Sequence, residues 1–87
     1  MSINELQSRV RLEHRGRVFT VESIDPTSWK ITDENGRNYG TVIMMDLEGE
    51  GGDPVYGGIL PAEHDTLYEG SDWGAIARGI INEVDSD

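Results

Sequence analysis

The fold is decided by residues 29–43, which run Trp29-Lys30-Ile31-Thr32-Asp33-Glu34-Asn35-Gly36-Arg37-Asn38-Tyr39-Gly40-Thr41-Val42-Ile43. Asn35-Gly36 is a strong turn signal, because both residues adopt positive φ at little cost, and it lies between runs of β-branched and aromatic residues. The stretch therefore predicts a β-hairpin turning at Asn35-Gly36. An isolated hairpin is marginally stable in water, so a further strand or a helix must cover its apolar side.

The alternation of side chains along a strand assigns the hairpin residues to faces. Trp29 and Ile31 share one face of the first strand, because side chains two residues apart point the same way. By the same rule Tyr39, Thr41 and Ile43 fall on one face of the second strand. The sequence thus predicts that Tyr39 lies on the same side of the sheet as Thr41.

Further elements follow on both sides of the hairpin. Alternating apolar residues predict three consecutive antiparallel strands at about residues 17–24, 28–33 and 38–45. Residues 9–15 alternate as well, and their pattern fits either a strand or an irregular transition. A turn is predicted at His14–Arg17. Residues 55–60 are a candidate fourth strand.

The clearest helix lies at the C-terminus. Ser71-Asp72 supplies an N-cap, and the apolar residues that follow recur at helical spacing. These residues are Trp73, Ile76, Ala77, Ile80, Ile81 and Val84. A weaker pattern, with Ser2 and Glu5 in capping-box positions, indicates a short N-terminal helix over about residues 2–8.

The connection from the sheet to this helix is less regular. Residues 46–54 hold four carboxylates and three glycines, which is typical of a mobile loop. Pro61 opens a segment through Asp65 that suits a single helical turn. Leu67 and Tyr68 are expected to pack against the core.

These elements define a fold class. The sequence predicts an α+β protein in which an antiparallel meander sheet of three to four strands packs against one C-terminal helix. Because a chain of 87 residues supports one modest core, residues 1–87 are expected to form a single small domain.

The amino-acid composition limits the cellular compartment in which the protein is expected and the chemistry that its side chains can perform. Because the chain has no cysteine, disulfides, thiolate metal sites and cysteine nucleophiles are excluded. Residues 39–45 are the longest uncharged apolar run and fall far short of the ~20 residues of a membrane helix. The N-terminus lacks the basic and apolar regions of a secretory signal. We expect a soluble cytoplasmic protein that does not bind membranes.

Charge is distributed unevenly. Residues 1–37 carry six basic and six acidic side chains, whereas residues 38–87 carry one basic and eleven acidic side chains. The whole formal charge of −10 therefore lies in the second part of the chain. This balance argues against direct binding of nucleic acid. The arginines at positions 9, 11, 15 and 17 are expected to pair with the acidic part of the chain.

Motifs for chemistry are weak, so the sequence predicts neither an enzyme nor a cofactor. No serine has a nucleophile-elbow context, and the carboxylates beside Gly49-x-Gly51-Gly52 would repel a phosphate. Asp46, Glu48, Glu50 and Gly51 imitate part of an EF-hand, but Gly57 stands where the bidentate glutamate is needed. A weak metal site or a small active site around Glu63-His64-Asp65 remains one alternative hypothesis.

The leading hypothesis is a non-enzymatic module that binds a protein partner through its acidic part, as an accessory protein or an inhibitor does. Exposed tyrosines are favoured at interfaces, so two of them are predicted to belong to this surface with the carboxylates. The predicted partner-binding residues are Asp46, Glu48, Glu50, Asp53, Tyr56, Glu63, Asp65, Tyr68 and Glu69. A sharper alternative is a nucleic-acid mimic that inhibits a DNA- or RNA-binding protein, a role that some phage-encoded inhibitors with this composition play. The sequence leaves the partner and the oligomeric state open.

Overall fold

Residues 8–46 and 54–86 are described in a computed structural model, and they form one antiparallel sheet and one helix. The strands lie in the sheet in chain order, so each pairs with its neighbour in sequence. The elements are β1 (Arg9–His14), β2 (Arg17–Asp25), β3 (Ser28–Asp33), β4 (Asn38–Asp46), β5 (Val55–Ile59), β6 (Tyr68–Gly70) and α1 (Trp73–Asp85). The predicted α+β class, with a meander and a single C-terminal helix, is confirmed.

The predicted number of strands is wrong, because the sheet has six strands and not three to four. The sequence left β1 open and gave no signal for β6, which has three residues and is too short for a period of two to be visible. β6 forms only because the chain returns beside β5, where Tyr68 pairs with Gly58. The extra strands therefore depend on tertiary pairing.

Two other predicted elements have different outcomes. The N-terminal helix over residues 2–8 lies outside the described residues except for Ser8, and so does most of the loop 46–54. The helical turn predicted at Pro61 is wrong. Glu63 N donates to the Leu60 carbonyl at 3.1 Å, and Ala62 has φ +64°, so Pro61 and Ala62 form the centre of a β-turn. Proline at the first central position suits such a turn as well as it suits a helix start.

The turn predicted at His14–Arg17 is confirmed, and it joins β1 to β2 in a hairpin with a two-residue loop. Arg15 and Gly16 both have positive φ, at +54° and +74°, and His14 pairs with Arg17 across the turn. Two positive φ angles in succession are the geometry of the primed turn that matches the twist of a two-stranded ribbon.

The central hairpin turns in a different way from the predicted one. Gly36 has φ +83°, whereas Asn35 does not adopt positive φ. Gly36 N donates to the Asp33 carbonyl at 3.1 Å, and the Asp33 carboxylate accepts from Asn35 N and Arg37 N, each at 2.9 Å. The Asp33 side chain holds the turn, so one residue with positive φ is sufficient.

Just beyond this turn, β4 carries a bulge that places Tyr39 in the core. Ile31 pairs with Gly40 and Thr32 pairs with Asn38, so Tyr39 is an extra residue in the ladder. Gly40 has φ +132°, a conformation that a side chain disfavours. Tyr39 is buried and packs edge-on against Phe19, with ring centroids 5.0 Å apart. The prediction that Tyr39 faces the same side as Thr41 is therefore wrong, because the bulge reverses the alternation.

The core lies between the sheet and α1. Its buried apolar residues are Leu12, Phe19, Val21, Trp29, Ile31, Tyr39, Val42, Tyr56, Ile76, Ala77, Ile80 and Ile81. The predicted helix and its apolar stripe are confirmed, and Asp72 caps the helix by accepting from Ala75 N at 3.2 Å. Glycines at positions 40 and 58 let the helix approach β4 and β5, since an added Cβ would lie 2.7–2.8 Å from Ile80.

The sheet curls so that its first strands also reach the helix. His14 Nε2 lies 2.8 Å from Asn82 Oδ1, which joins the end of β1 to the last turns of α1. Within residues 8–46 and 54–86, no helix is both long and apolar enough to cross a bilayer.

Candidate protein-binding surface

The segment between β5 and β6 is held by two backbone hydrogen bonds. One closes the turn from Leu60 to Glu63, and the other runs from Leu67 N to the Gly58 carbonyl at 2.8 Å. Between these two points the carboxylates of Glu63 and Asp65 are exposed. Leu67 follows directly, and it is 48% exposed although its side chain is wholly apolar.

Tyr68 continues this segment on the side of the sheet that faces the helix. Its ring lies over Gly79, where an added Cβ would be 3.0–3.2 Å from ring atoms. Its hydroxyl donates to Glu83 Oε1 at 3.0 Å, and this hydrogen bond raises the pKa of Tyr68 above its ordinary value. The side chain is fixed in place and is still 36% exposed. Tyr68 thus offers an ordered aromatic surface.

The other side of β6 carries a smaller group of contacts. Thr66 Oγ1 donates to Glu69 Oε2 at 2.6 Å, and Glu69 is exposed opposite Gly57. Thr66 and Met45 meet over Gly57, because a Cβ there would lie 2.6 Å from the Thr66 methyl group and 2.8 Å from Met45 Sδ. Met45 is itself 46% exposed.

These side chains surround the β6 edge of the sheet from both faces. We call the group the β6 surface, and it consists of Met45, Glu63, Asp65, Leu67, Tyr68 and Glu69. It combines three exposed apolar side chains with three exposed carboxylates. Apolar anchors with a charged rim are the usual anatomy of a protein-binding site.

The structure brings four of the predicted partner-binding residues to this surface, namely Glu63, Asp65, Tyr68 and Glu69. Asp46 is exposed at the end of β4, one residue after Met45. The remaining carboxylates of the predicted set, Glu48, Glu50 and Asp53, lie outside the described residues.

Tyr56 does not belong to any exposed surface, so its assignment as an exposed aromatic residue is wrong. It is 0% exposed, and its ring meets Trp29 edge-on at 6.1 Å between centroids. Its strand β5 lies between β4 and β6 and beneath α1, so the inward side chain is enclosed. The glycines beside Tyr56 do not indicate this burial in the sequence, because they are equally compatible with an edge strand.

Sequence reasoning missed three residues that shape the β6 surface. The prediction that Leu67 packs against the core is wrong, because the sheet ends at β6 and leaves this side chain exposed. Met45 is also exposed, because it lies at the end of β4. Glu83 could have been suggested by its spacing of four residues from Gly79 on one helix face, but its partner Tyr68 comes from another element.

Arg17 contacts the acidic part of the chain, as expected. Its guanidinium donates to both carboxylate oxygens of Asp85, the shorter at 3.0 Å, and to Tyr39 Oη at 2.6 Å. It also lies 3.8 Å from Asp33, and Tyr39 Oη donates to Asp85 Oδ1 at 3.2 Å. These hydrogen bonds raise the pKa of Arg17, the one to Tyr39 contributing most.

For Arg9 and Arg11 the expected pairing with the acidic part is wrong, because both make ion pairs within the neutral part of the chain. Arg9 lies 3.7 Å from Glu22, and Arg11 lies 3.0 Å from Glu13. All four side chains are largely exposed, so each pair contributes little to stability. Among the ion pairs of the described residues, Arg17–Asp85 is the one that joins the neutral part to the acidic part.

The hypothesis of a metal site at Glu63-His64-Asp65 gains no geometric support. Across residues 8–46 and 54–86, no three histidine, aspartate or glutamate side chains are grouped as ligands for one ion. His64 is exposed between its two neighbours, after the turn at Pro61 and Ala62.

Comparison of the chain with protein-family models, with curated proteins and with solved structures gives no match in any of the three searches.

Proposed function

We propose that the protein is a non-enzymatic binding module that docks to a partner protein through the β6 surface. The observation that carries this proposal is the exposure of Leu67 and Tyr68 between the carboxylates of Glu63, Asp65 and Glu69. Tyr68 is already ordered by Gly79 and Glu83, so binding would cost little side-chain entropy.

The chemistry of the surface defines the partner. Burying an exposed leucine or tyrosine contributes on the order of 1–3 kcal/mol, so the partner needs an apolar depression for these two side chains. The three carboxylates require basic side chains around that depression, which also accelerate association. The absence of cysteine supports the cytoplasm as the place where the two proteins meet.

The test is affinity capture from the native host with four forms of the protein. We expect the wild type to retain a partner that Leu67→Ala and Tyr68→Ala lose. Ile24→Ala is the matched control, since Ile24 is 60% exposed at the end of β2 and lies outside the β6 surface. Circular dichroism of each variant checks that the fold is kept.

Two outcomes would contradict the proposal. Equal loss with Ile24→Ala would show that capture is nonspecific. Capture that ignores Leu67 and Tyr68, but falls steeply with salt and with amide substitutions of Asp46, Glu48, Glu50 and Asp53, would favour the nucleic-acid mimic.

A further inference from the structure

The turn between β3 and β4 carries the one Asn-Gly pair of the sequence, Asn35-Gly36. Both residues are exposed, and a Cβ built on Gly36 would meet no atom within 4 Å. The Asp33 carboxylate holds this turn by accepting from Asn35 N and Arg37 N. The turn therefore depends on the backbone of Gly36 and on the side chain of Asp33, and the Asn35 amide is left exposed to water.

An asparagine that precedes glycine can lose its side-chain amide without an enzyme. The backbone nitrogen of the next residue attacks the side-chain carbonyl carbon, Cγ, so a new N–C bond forms and the bond from Cγ to the amide nitrogen breaks. The attacking nitrogen gives up its proton, the leaving nitrogen takes one and departs as ammonia, and a cyclic succinimide remains. Water then opens this ring at either carbonyl and gives aspartate or isoaspartate. Glycine favours ring closure, because it has no Cβ to crowd the attacking nitrogen.

The two other asparagines in the described part of the chain are less open to this reaction. Asn38 Oδ1 accepts from Gly40 N at 3.0 Å. Asn82 lies within α1, and its Oδ1 is 2.8 Å from His14 Nε2. Each is followed by a residue with a bulky side chain, tyrosine in one case and glutamate in the other. The structure therefore favours Asn35 as the site of ring closure.

In the closed turn the attacking nitrogen is engaged elsewhere. Gly36 N donates to the Asp33 carbonyl at 3.1 Å. The two hydrogen bonds to the Asp33 carboxylate, each of 2.9 Å, fix the backbone on both sides of this nitrogen. Gly36 N can reach Cγ of Asn35 only after the turn opens locally, so the rate follows the fraction of molecules in which the turn is open.

We propose that Asn35 is a site of spontaneous deamidation, and that the Asp33 side chain sets its rate by holding the turn closed. The product adds one carboxylate to a turn that already carries Asp33 and Glu34. None of these residues belongs to the β6 surface, so the proposal does not depend on the proposed function.

The test of the site is incubation of the full-length protein in mildly alkaline buffer, followed by trypsin digestion and mass spectrometry. Trypsin cleaves after Arg37 and so separates Asn35 from Asn38. We expect the peptide with Asn35 to gain the mass that replacement of NH2 by OH adds, as a mixture of aspartate and isoaspartate. The peptides with Asn38 and Asn82 should stay unchanged over the same time. Asn35→Gln is the chemical control, because its longer side chain closes a ring far more slowly.

The role of the Asp33 side chain is tested by the rate of conversion. Asp33→Ala should accelerate conversion of Asn35 at least about fivefold, since the loss of two hydrogen bonds raises the population of the open turn. Asp33→Asn is the matched control, because it removes the same charge but keeps a side-chain oxygen that accepts hydrogen bonds. It should accelerate conversion clearly less than Asp33→Ala does.

The wild type alone provides a second comparison. Conversion of Asn35 should be at least about fivefold faster in the urea-unfolded chain than in the native protein, because unfolding releases Gly36 N from the turn. This measurement needs no variant, so the test remains decisive even if Asp33→Ala fails to fold.

Three results would overturn the proposal. Absence of conversion at Asn35 in the native protein, under conditions in which the unfolded chain converts, would remove the site. Equal rates in the native and the unfolded chain would remove the control by the turn. Equal rates in Asp33→Ala and Asp33→Asn, both folded by circular dichroism, would show that the hydrogen bonds of Asp33 do not set the rate.

Discussion

At the residue scale, backbone conformation decides which glycines the fold requires. Gly36 has φ +83° and has no atom within 4 Å of an added Cβ, so its role is conformational alone. Gly40 has φ +132°, and a Cβ there would also lie 2.5 Å from the Ile59 carbonyl oxygen. Ala62 tolerates φ +64° without being glycine, in a turn fixed by Pro61. A glycine that is needed only for its backbone conformation and a glycine that is also needed for close packing therefore cannot be distinguished from the sequence.

Gly36→Ala should destabilise the protein by about 1–2 kcal/mol, because a Cβ disfavours positive φ. Gly70→Ala is the matched control. Gly70 also has no atom within 4 Å of an added Cβ, but its φ is not positive. We expect Gly70→Ala to be neutral or stabilising by up to about 1 kcal/mol. Urea unfolding of the two variants measures the difference, and equal effects would show that strain at Gly36 is not the cause.

At the element scale, register shifts and close approaches give each strand and helix its place. The bulge at Tyr39 turns that side chain into the core, and Gly40 leaves room for Ile80 of the helix. At the other end of the sheet, Tyr68 of β6 lies over Gly79 of α1. A short strand of three residues is thus held by its aromatic contact with the helix as well as by pairing with β5.

The effect of Gly79→Ala on the stability of the protein should differ between the wild type and a Tyr68→Ala variant. Alanine favours a helix over glycine by about 1 kcal/mol, but its Cβ would displace the Tyr68 ring. We expect stabilisation of about 0.5–1 kcal/mol in a Tyr68→Ala background and less, or destabilisation, in the wild type. The coupling from this double-mutant cycle, measured by thermal and urea unfolding, should exceed about 0.5 kcal/mol. A coupling of zero would mean that the ring does not rest on Gly79.

At the scale of the whole molecule, one cluster fastens the last helix to the start of the sheet. Arg17 on β2 binds Asp85, the last residue of α1, and its guanidinium lies 5.0 Å from the centroid of Phe19 and 5.4 Å from that of Tyr39. With His14–Asn82, this contact anchors the C-terminal turns of the helix to the first hairpin.

Arg17→Ala should lower the free energy of unfolding by clearly more than Arg11→Ala does, since it removes charge-assisted hydrogen bonds and ring contacts that join β2 to α1. Arg11→Ala is the control with the same change of charge. Because Arg11 and Glu13 are largely exposed, its effect should stay within about 0.5 kcal/mol. Urea unfolding at low and high salt distinguishes the two, and similar losses would contradict a role for Arg17 in fastening the helix.

The central strands, a turn close to Gly36 and the C-terminal helix could all be predicted from the amino-acid sequence. These features follow from interactions between near neighbours in the chain, namely the period of two in β3, the apolar stripe of α1 and the cap at Asp72. Such patterns are complete within one element, so they are visible before any tertiary contact is known. The same reasoning located four residues of the β6 surface by their charge and aromatic character.

Which side chains those elements bury depends on long-range pairing and could not be predicted in the same way. Tyr39 is buried because a bulge shifts the ladder, and Tyr56 is buried because its strand lies inside the sheet. Leu67 is exposed because the sheet ends at β6, and His14 reaches Asn82 because the sheet curls until β1 approaches α1. Each of these outcomes depends on pairing between residues far apart in sequence. Local periodicity cannot specify it, since the period fixes which residues share a face and not which face is covered.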